Sequence, residues 1–80
     1  MTDADVYGLL GEVFDDVFED PALRLARDMR LEDIAGWDSF KCVLLLSAVE
    51  VRFGIKAKSQ EIDDIRTVGD IVRMIMARRR

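Results

Sequence analysis

The sequence predicts an all-α domain: a small four-helix bundle of three main helices and one short helix, with a long loop between the first two. Three observations carry this. Apolar residues recur at helical spacing in three separate stretches, no stretch alternates as a strand does, and the residues between the first two helical stretches lose their period. Eighty residues leave room for one domain, 1–80. A chain of this length buries only about 60% of the surface that it exposes when unfolded, so one modest core is expected and a deep catalytic cavity is not.

The first helix is read from Val6, Leu9, Leu10, Val13, Phe14, Val17 and Phe18, which form one buried stripe. Thr2 with Asp5 three positions on supplies an N-cap with acid in the first turn. The helix is expected to stop before Pro21, because a proline disfavours the helical conformation of the residue preceding it. From Pro21 to Asp38 the chain reads as a connection pinned to the core by Leu23, Leu25, Met29, Leu31 and Ile34. A loop this long in a small domain is functional or holds a short helical turn.

The second helix is predicted from the Asp38-Ser39 pair to Phe53, with Gly54 as its stop. On a helical wheel Cys42, Leu45, Leu46, Val49 and Phe53 form the core stripe, and Cys42 is expected to be a small core residue. A second stripe, Phe40, Val43, Leu44, Ser47 and Val51, lies away from the first and is expected to meet a partner. Lys41 and Arg52 are placed on a narrow polar strip beside it, and Glu50 stands apart. After an extended Ile55–Lys58, Ser59 is read as the N-cap of a short third helix containing Glu61, Ile62, Asp63, Asp64 and Ile65. Thr67 with Asp70 caps the fourth helix, whose stripe is Val68, Ile71, Val72, Ile75 and Met76. Met74 and Met76 are read as core filler.

Composition narrows the chemistry. There is no histidine and Cys42 is the single cysteine, so the commonest general base, histidine-containing zinc sites, Cys–His nucleophiles and an intramolecular disulfide are all excluded. A self-contained enzyme is not expected. The free cysteine, and acid (Asp3, Asp5) where a secretory segment would need positive charge, suggest a cytoplasmic protein. The apolar run from Cys42 to Val49 is too short to span a membrane.

The net charge of −4 is unevenly spread. Residues 1–23 hold seven acids and no base, whereas Arg73, Arg78, Arg79 and Arg80 close the chain. Both ends complement helix dipoles. Nucleic-acid binding is not expected, since the basic residues neither dominate nor interleave with aromatics.

Ahead of the second helix stands Leu31-Glu32-Asp33-Ile34-Ala35-Gly36-Trp37-Asp38-Ser39-Phe40. Together with Phe53-Gly54-Ile55, the short acidic third helix and Thr67-Val68-Gly69-Asp70, this resembles the acyl carrier protein family over almost the whole chain. These are the phosphopantetheine-bearing carrier domains of fatty-acid, polyketide and nonribosomal-peptide pathways. Asp38-Ser39-Phe40 fills the family's Asp-Ser-Leu signature with phenylalanine in third place, and Gly36-Trp37 is a common variant of the approach to it. The resemblance implies a 4'-phosphopantetheine arm from coenzyme A on Ser39, with cargo held as a thioester. By resemblance, Asp38 helps the phosphopantetheinyl transferase bind magnesium and coenzyme A.

Other implied partners are the enzymes that load and transfer the acyl cargo, met by a monomer that dimerises at most weakly. The partner surface is placed on Phe40, Lys41, Val43, Leu44, Ser47 and Val51. Many carriers present an acidic second helix, and this one departs from them. Lys41 and Arg52 are therefore expected to disfavour basic enzymes and to select a specialised pathway over a housekeeping one. On the residues alone, Asp38-Ser39 is a helix cap, and the alternative reading is an unmodified helical interaction module that docks through the second stripe.

Overall fold

The computed structural model describes residues 2–20 and 23–78, so the expectations placed on Pro21, Arg79 and Arg80 lie outside the described residues. Within them run helices α1 (Asp3–Phe18), α2 (Ser39–Phe53), α3 (Ser59–Asp64) and α4 (Val68–Arg78), with a 3-10 turn at Leu31–Asp33 in the long loop. No strand occurs among the described residues.

Helix α1 starts on a complete capping box. The Thr2 hydroxyl accepts from the Asp5 amide at 3.2 Å, and the Asp5 carboxylate accepts from the Thr2 amide at 2.9 Å. The Thr2 amide first, and then the Thr2 hydroxyl, favour the charged form of the Asp5 carboxyl and lower its pKa. The helix ends at Phe18, where Glu19 turns into the left-handed region (φ +55°) and returns its N–H to the Asp15 carbonyl. A glutamate there is strained, and the recovered hydrogen bond offsets part of that cost.

Asp38 and Gly54 bound α2 as expected, with Gly54 left-handed and its N–H on the Glu50 carbonyl. The Glu50 side chain is not isolated: it accepts from the Ala57 amide at 2.8 Å and holds down the extended segment after the helix. Helix α3 begins one residue earlier than predicted relative to its cap, which is Lys58 rather than Ser59. The reason is local. Glu61 reaches back to the Lys58 amide at 2.9 Å, leaving Ser59 inside the first turn. None of the residues of α3 is fully buried, and an ion pair from Glu61 to Arg78 ties it to α4.

The core forms where α1 lies against both α2 and α4. Val6, Leu10 and Phe14 meet Leu45, Val49 and Phe53 of α2 and Val68, Ile71, Val72 and Ile75 of α4. Each such side chain contributes roughly 1.5–3 kcal/mol by leaving water. Met74 is buried and Met76 half-buried, in keeping with core filler. Cys42 is not a core residue; it is only half-buried, because the first turn of α2 lies at the edge of the bundle.

The loop is fastened to the start of α4 by its backbone. Gly69 and Val68 donate to the carbonyls of Arg27 and Met29 at 2.9 and 3.0 Å, and Leu31 donates to Arg66 at 3.0 Å. Two of the amides that a helix N-terminus leaves unpaired are thereby satisfied by the loop. Leu31 and Ile34 are buried beneath it, and Leu23, Leu25 and Met29 pack half-buried alongside. Gly69 is required by this approach, since a Cβ there would fall 2.8 Å from both the carbonyl oxygen and Cγ of Arg27. Gly69→Ala should therefore destabilise the fold by about 1–3 kcal/mol in urea unfolding, the scale of forced overpacking with a lost hydrogen bond. An unchanged midpoint would show that the loop carbonyl moves freely.

At the same junction Asp70 accepts from the Arg66 and Thr67 amides at 2.9 and 3.0 Å, while Thr67 Oγ1 accepts from the Asp70 amide at 3.2 Å. The Arg66 amide is the largest influence on the Asp70 carboxyl; burial, the second, opposes it, and the Thr67 amide and hydroxyl with Arg73 bring the net pKa below the ordinary value of 3.8. A depressed folded-state pKa gives stability that is complete above the unfolded value and is lost as pH falls through the folded one. The gap in melting temperature between the wild-type chain and Asp70→Asn should accordingly be widest above about pH 5 and shrink as the solution is acidified below 3.8. A gap constant from neutral pH down to full protonation would contradict the capping role of the charge.

Candidate functional site

The segment leading into α2 is built outward from the core. Buried Ile34 opens a four-residue turn that closes when the Trp37 amide donates to the Ile34 carbonyl at 3.0 Å. Gly36, its third residue, has φ +86°, a conformation suited to glycine in such a turn. Trp37 then stacks on Phe18 of α1 with ring centroids 5.9 Å apart, and Phe18 stacks on core residue Phe14 at 5.8 Å. Three aromatic rings thus connect the hydrophobic core to the residue preceding Asp38.

Asp38 is extended, and its Oδ1 accepts from the Lys41 amide at 2.8 Å while its carbonyl accepts from Cys42 at 3.0 Å. This is an N-cap, and it makes Ser39 the first residue of α2. Ser39 is exposed. Its own amide and that of Phe40 have no carbonyl one turn back, and they stand at the positive end of the helix dipole. A hydroxyl in this position can carry a phosphodiester whose charge faces those amides. Of the other serines, Ser47 lies mid-helix in α2 and Ser59 opens the six-residue α3.

Along the outer face of α2, Phe40 (68% exposed), Val43 (63%), Leu44 (38%) and Val51 (85%) are open to solvent, and Ser47 is exposed among them. A cleft of about 370 Å³ lined by Val13, Asp16, Ser47, Ala48, Val51 and Arg52 borders this stripe. The wheel was correct for these residues.

The two bases, expected on a polar strip beside the stripe, both direct their charged ends toward α1. Lys41 is half-buried and turned onto α1, where its Nζ donates to the Val17 carbonyl at 2.9 Å and lies 5.9 Å from the centre of the Phe18 ring. Arg52 pairs with Glu12 of α1. Both long side chains find acceptors on the neighbouring helix, so neither forms a free basic strip along the stripe. The acidic stretch at the start of the chain gave a signal for Arg52; nothing in the sequence pattern points to a backbone carbonyl as the partner of Lys41.

Burial pushes the Cys42 thiol up from its ordinary value, which lowers its thiolate fraction at neutral pH. It is a poor nucleophile one turn beyond Ser39. No group of side chains that could hold a metal ion occurs among the described residues, and none of the described helices is long and apolar enough to cross a membrane.

Comparison with known proteins agrees with this geometry. Residues 8–75 match the family described as the phosphopantetheine attachment site, a stretch running from α1 into α4 with Asp38-Ser39 near its middle. Among solved structures, the chain is similar to the solution NMR structure of a holo acyl carrier protein from Geobacter metallireducens. The two share 29% sequence identity with a TM-score of 0.84, over 90% of this chain and 83% of that one. No curated protein matches.

Proposed function

The chain belongs to the phosphopantetheine attachment-site family of carrier proteins, and from that membership we propose that Ser39 is the residue that bears the arm. The observation that carries the assignment is the exposed hydroxyl of Ser39 on the first turn of α2, directly after the Asp38 cap. Family membership makes the protein a carrier and not an enzyme, with 4'-phosphopantetheine as its prosthetic group. The residues present fit that group. The amides of Ser39 and Phe40 lie in the first turn of α2, where a helix leaves its N–H groups unpaired and a phosphate on the exposed serine would be favoured.

When attached, the arm supplies a terminal thiol on which cargo is held as a thioester. The protein's part is mechanical and electrostatic. Asp38 fixes the first turn by binding the Lys41 amide, and as an exposed residue it can help a transferase hold magnesium and coenzyme A. Ser39 Oγ would take the phosphopantetheinyl group from coenzyme A, losing its proton as the pyrophosphate linkage breaks and the bisphosphorylated adenosine half of coenzyme A leaves. From then on, tethering raises the effective concentration of cargo at each enzyme that docks.

Docking is assigned to Phe40, Val43, Leu44, Ser47 and Val51, the open stripe of α2 beside Ser39. With Lys41 and Arg52 turned onto α1, repulsion of basic enzymes no longer supports a specialised pathway. Its support is the apolar stripe itself, which offers solvent-exposed hydrocarbon to a partner groove and little charge to steer with. A dedicated set of loading and transferring enzymes in the cytosol suits both this surface and an unpaired Cys42.

Incubation with coenzyme A and a broad-specificity phosphopantetheinyl transferase should add one phosphopantetheinyl mass to the wild-type chain and none to Ser39→Ala. Mass gain in the variant would overturn the site. Val43→Glu and Val51→Glu should change unfolding free energy by no more than about 0.5 kcal/mol, as exposed positions do. Loaded with an acyl group, the wild-type protein should be a poor substrate for a housekeeping fatty-acid synthase, and the two variants better ones. Wild-type turnover equal to that of an ordinary acidic carrier would contradict the specialised role.

A further inference from the structure

The stem and ammonium of Lys41 join the two structural ends that meet beside Ser39. Its amide is held by Asp38 at 2.8 Å, inside the first turn of α2. Its Nζ crosses to the last turn of α1 and donates to the Val17 carbonyl at 2.9 Å, 5.9 Å from the Phe18 ring centre. That carbonyl is one of those a helix C-terminus leaves without an intrahelical partner, and a cation there also complements the dipole. Phe18 in turn stacks on Trp37, the residue before Asp38. Val17, Phe18, Trp37, Asp38 and Lys41 thus form a closed circuit around the approach to Ser39, and Lys41 is its only charged bridge between helices.

We infer that Lys41 is a positioning residue for the modification of Ser39, an inference that rests on the carrier reading above. It acts through the circuit: with the bridge made, Asp38 and Ser39 are presented together in one geometry. Without it, the first turn of α2 and the Trp37 turn sample other arrangements, and only a fraction of the molecules offers the serine correctly at any moment. An enzyme that must select that fraction sees a weakened apparent affinity, in proportion to the fraction lost. Once bound, the transferase imposes the geometry, so the turnover number is retained.

The test uses the full chain, coenzyme A and a broad-specificity transferase, with modification followed by intact mass. Lys41→Met keeps an apolar stem over Phe18 and removes the donor. Its KM as the transferase's protein substrate should rise roughly three- to tenfold, the scale of one ordinary net hydrogen bond, as suits a half-buried donor, while kcat holds. Lys41→Arg should restore KM. Melting curves confirm that each variant is fully folded at the assay temperature, where a purely structural loss would leave KM unmoved. Amide exchange at Phe40 should be faster in Lys41→Met.

Phe18→Leu, which breaks the Trp37 stack while leaving the Lys41 ammonium and its Val17 carbonyl acceptor in the chain, should raise KM as well, and the double variant should show less than the product of the two effects. An unchanged KM in Lys41→Met overturns the inference and leaves the carrier reading intact. So does a rise in Lys41→Met with none in Phe18→Leu, since Lys41 would then act by touching the transferase. A wild-type chain that takes no group overturns the carrier reading and the inference with it.

Discussion

The presentation of Ser39 depends on the first turn of α2 being held against the last turn of α1. Neither end satisfies all of its own backbone groups within its helix. Helix α1 finishes in a left-handed glutamate, α2 begins after a positive-φ glycine turn, and each leaves backbone groups that its own helix cannot satisfy. The aromatic sequence Phe14, Phe18, Trp37 extends the core outward to this junction, and the Lys41 ammonium closes it over the Val17 carbonyl. A serine placed there is solvent-exposed yet attached to something rigid. That combination suits the proposed attachment of a long flexible arm.

At the other end of the loop the same logic operates through backbone alone. The Arg27 and Met29 carbonyls satisfy the first amides of α4, Thr67 and Asp70 satisfy others, and Gly69 makes room for the approach. The loop from residue 23 to residue 38 is therefore fixed at α4, at buried Leu31 and Ile34, and at the Trp37 stack. Charge plays a local part in this. Arg27 pairs with Asp3 and Arg52 with Glu12, so the acidic face of α1 is partly neutralised by bases from the loop and from α2. The outer stripe of α2 is left largely apolar.

Much of this was legible in the sequence. Thr2/Asp5 and Thr67/Asp70 announced two helix starts, Asp38 and Gly54 bounded α2, and the second stripe was placed on the correct face. The start of α3 was misplaced by one residue because Glu61 can reach back to Lys58, and a cap read from side-chain type favours serine. The loop strap was invisible for a different reason: carbonyls of Arg27 and Met29 donate nothing to a residue pattern, and only Gly69 leaves a trace. Lys41 and Arg52 were misread because a wheel fixes the direction of Cβ, whereas their long stems let the charged ends travel to α1. Cys42 follows the core stripe in spacing but lies where that stripe runs out in the first turn of the helix.

The central claim is that one phosphodiester forms at one serine, at the start of α2. Phosphorus NMR of the chain co-produced with a transferase, with proton correlation, tests it at atomic resolution. A single phosphodiester resonance coupled to the β protons of Ser39, with the amide signals of Ser39 and Phe40 displaced, is the expected result. No phosphodiester, or one coupled to Ser47 or Ser59, would contradict it.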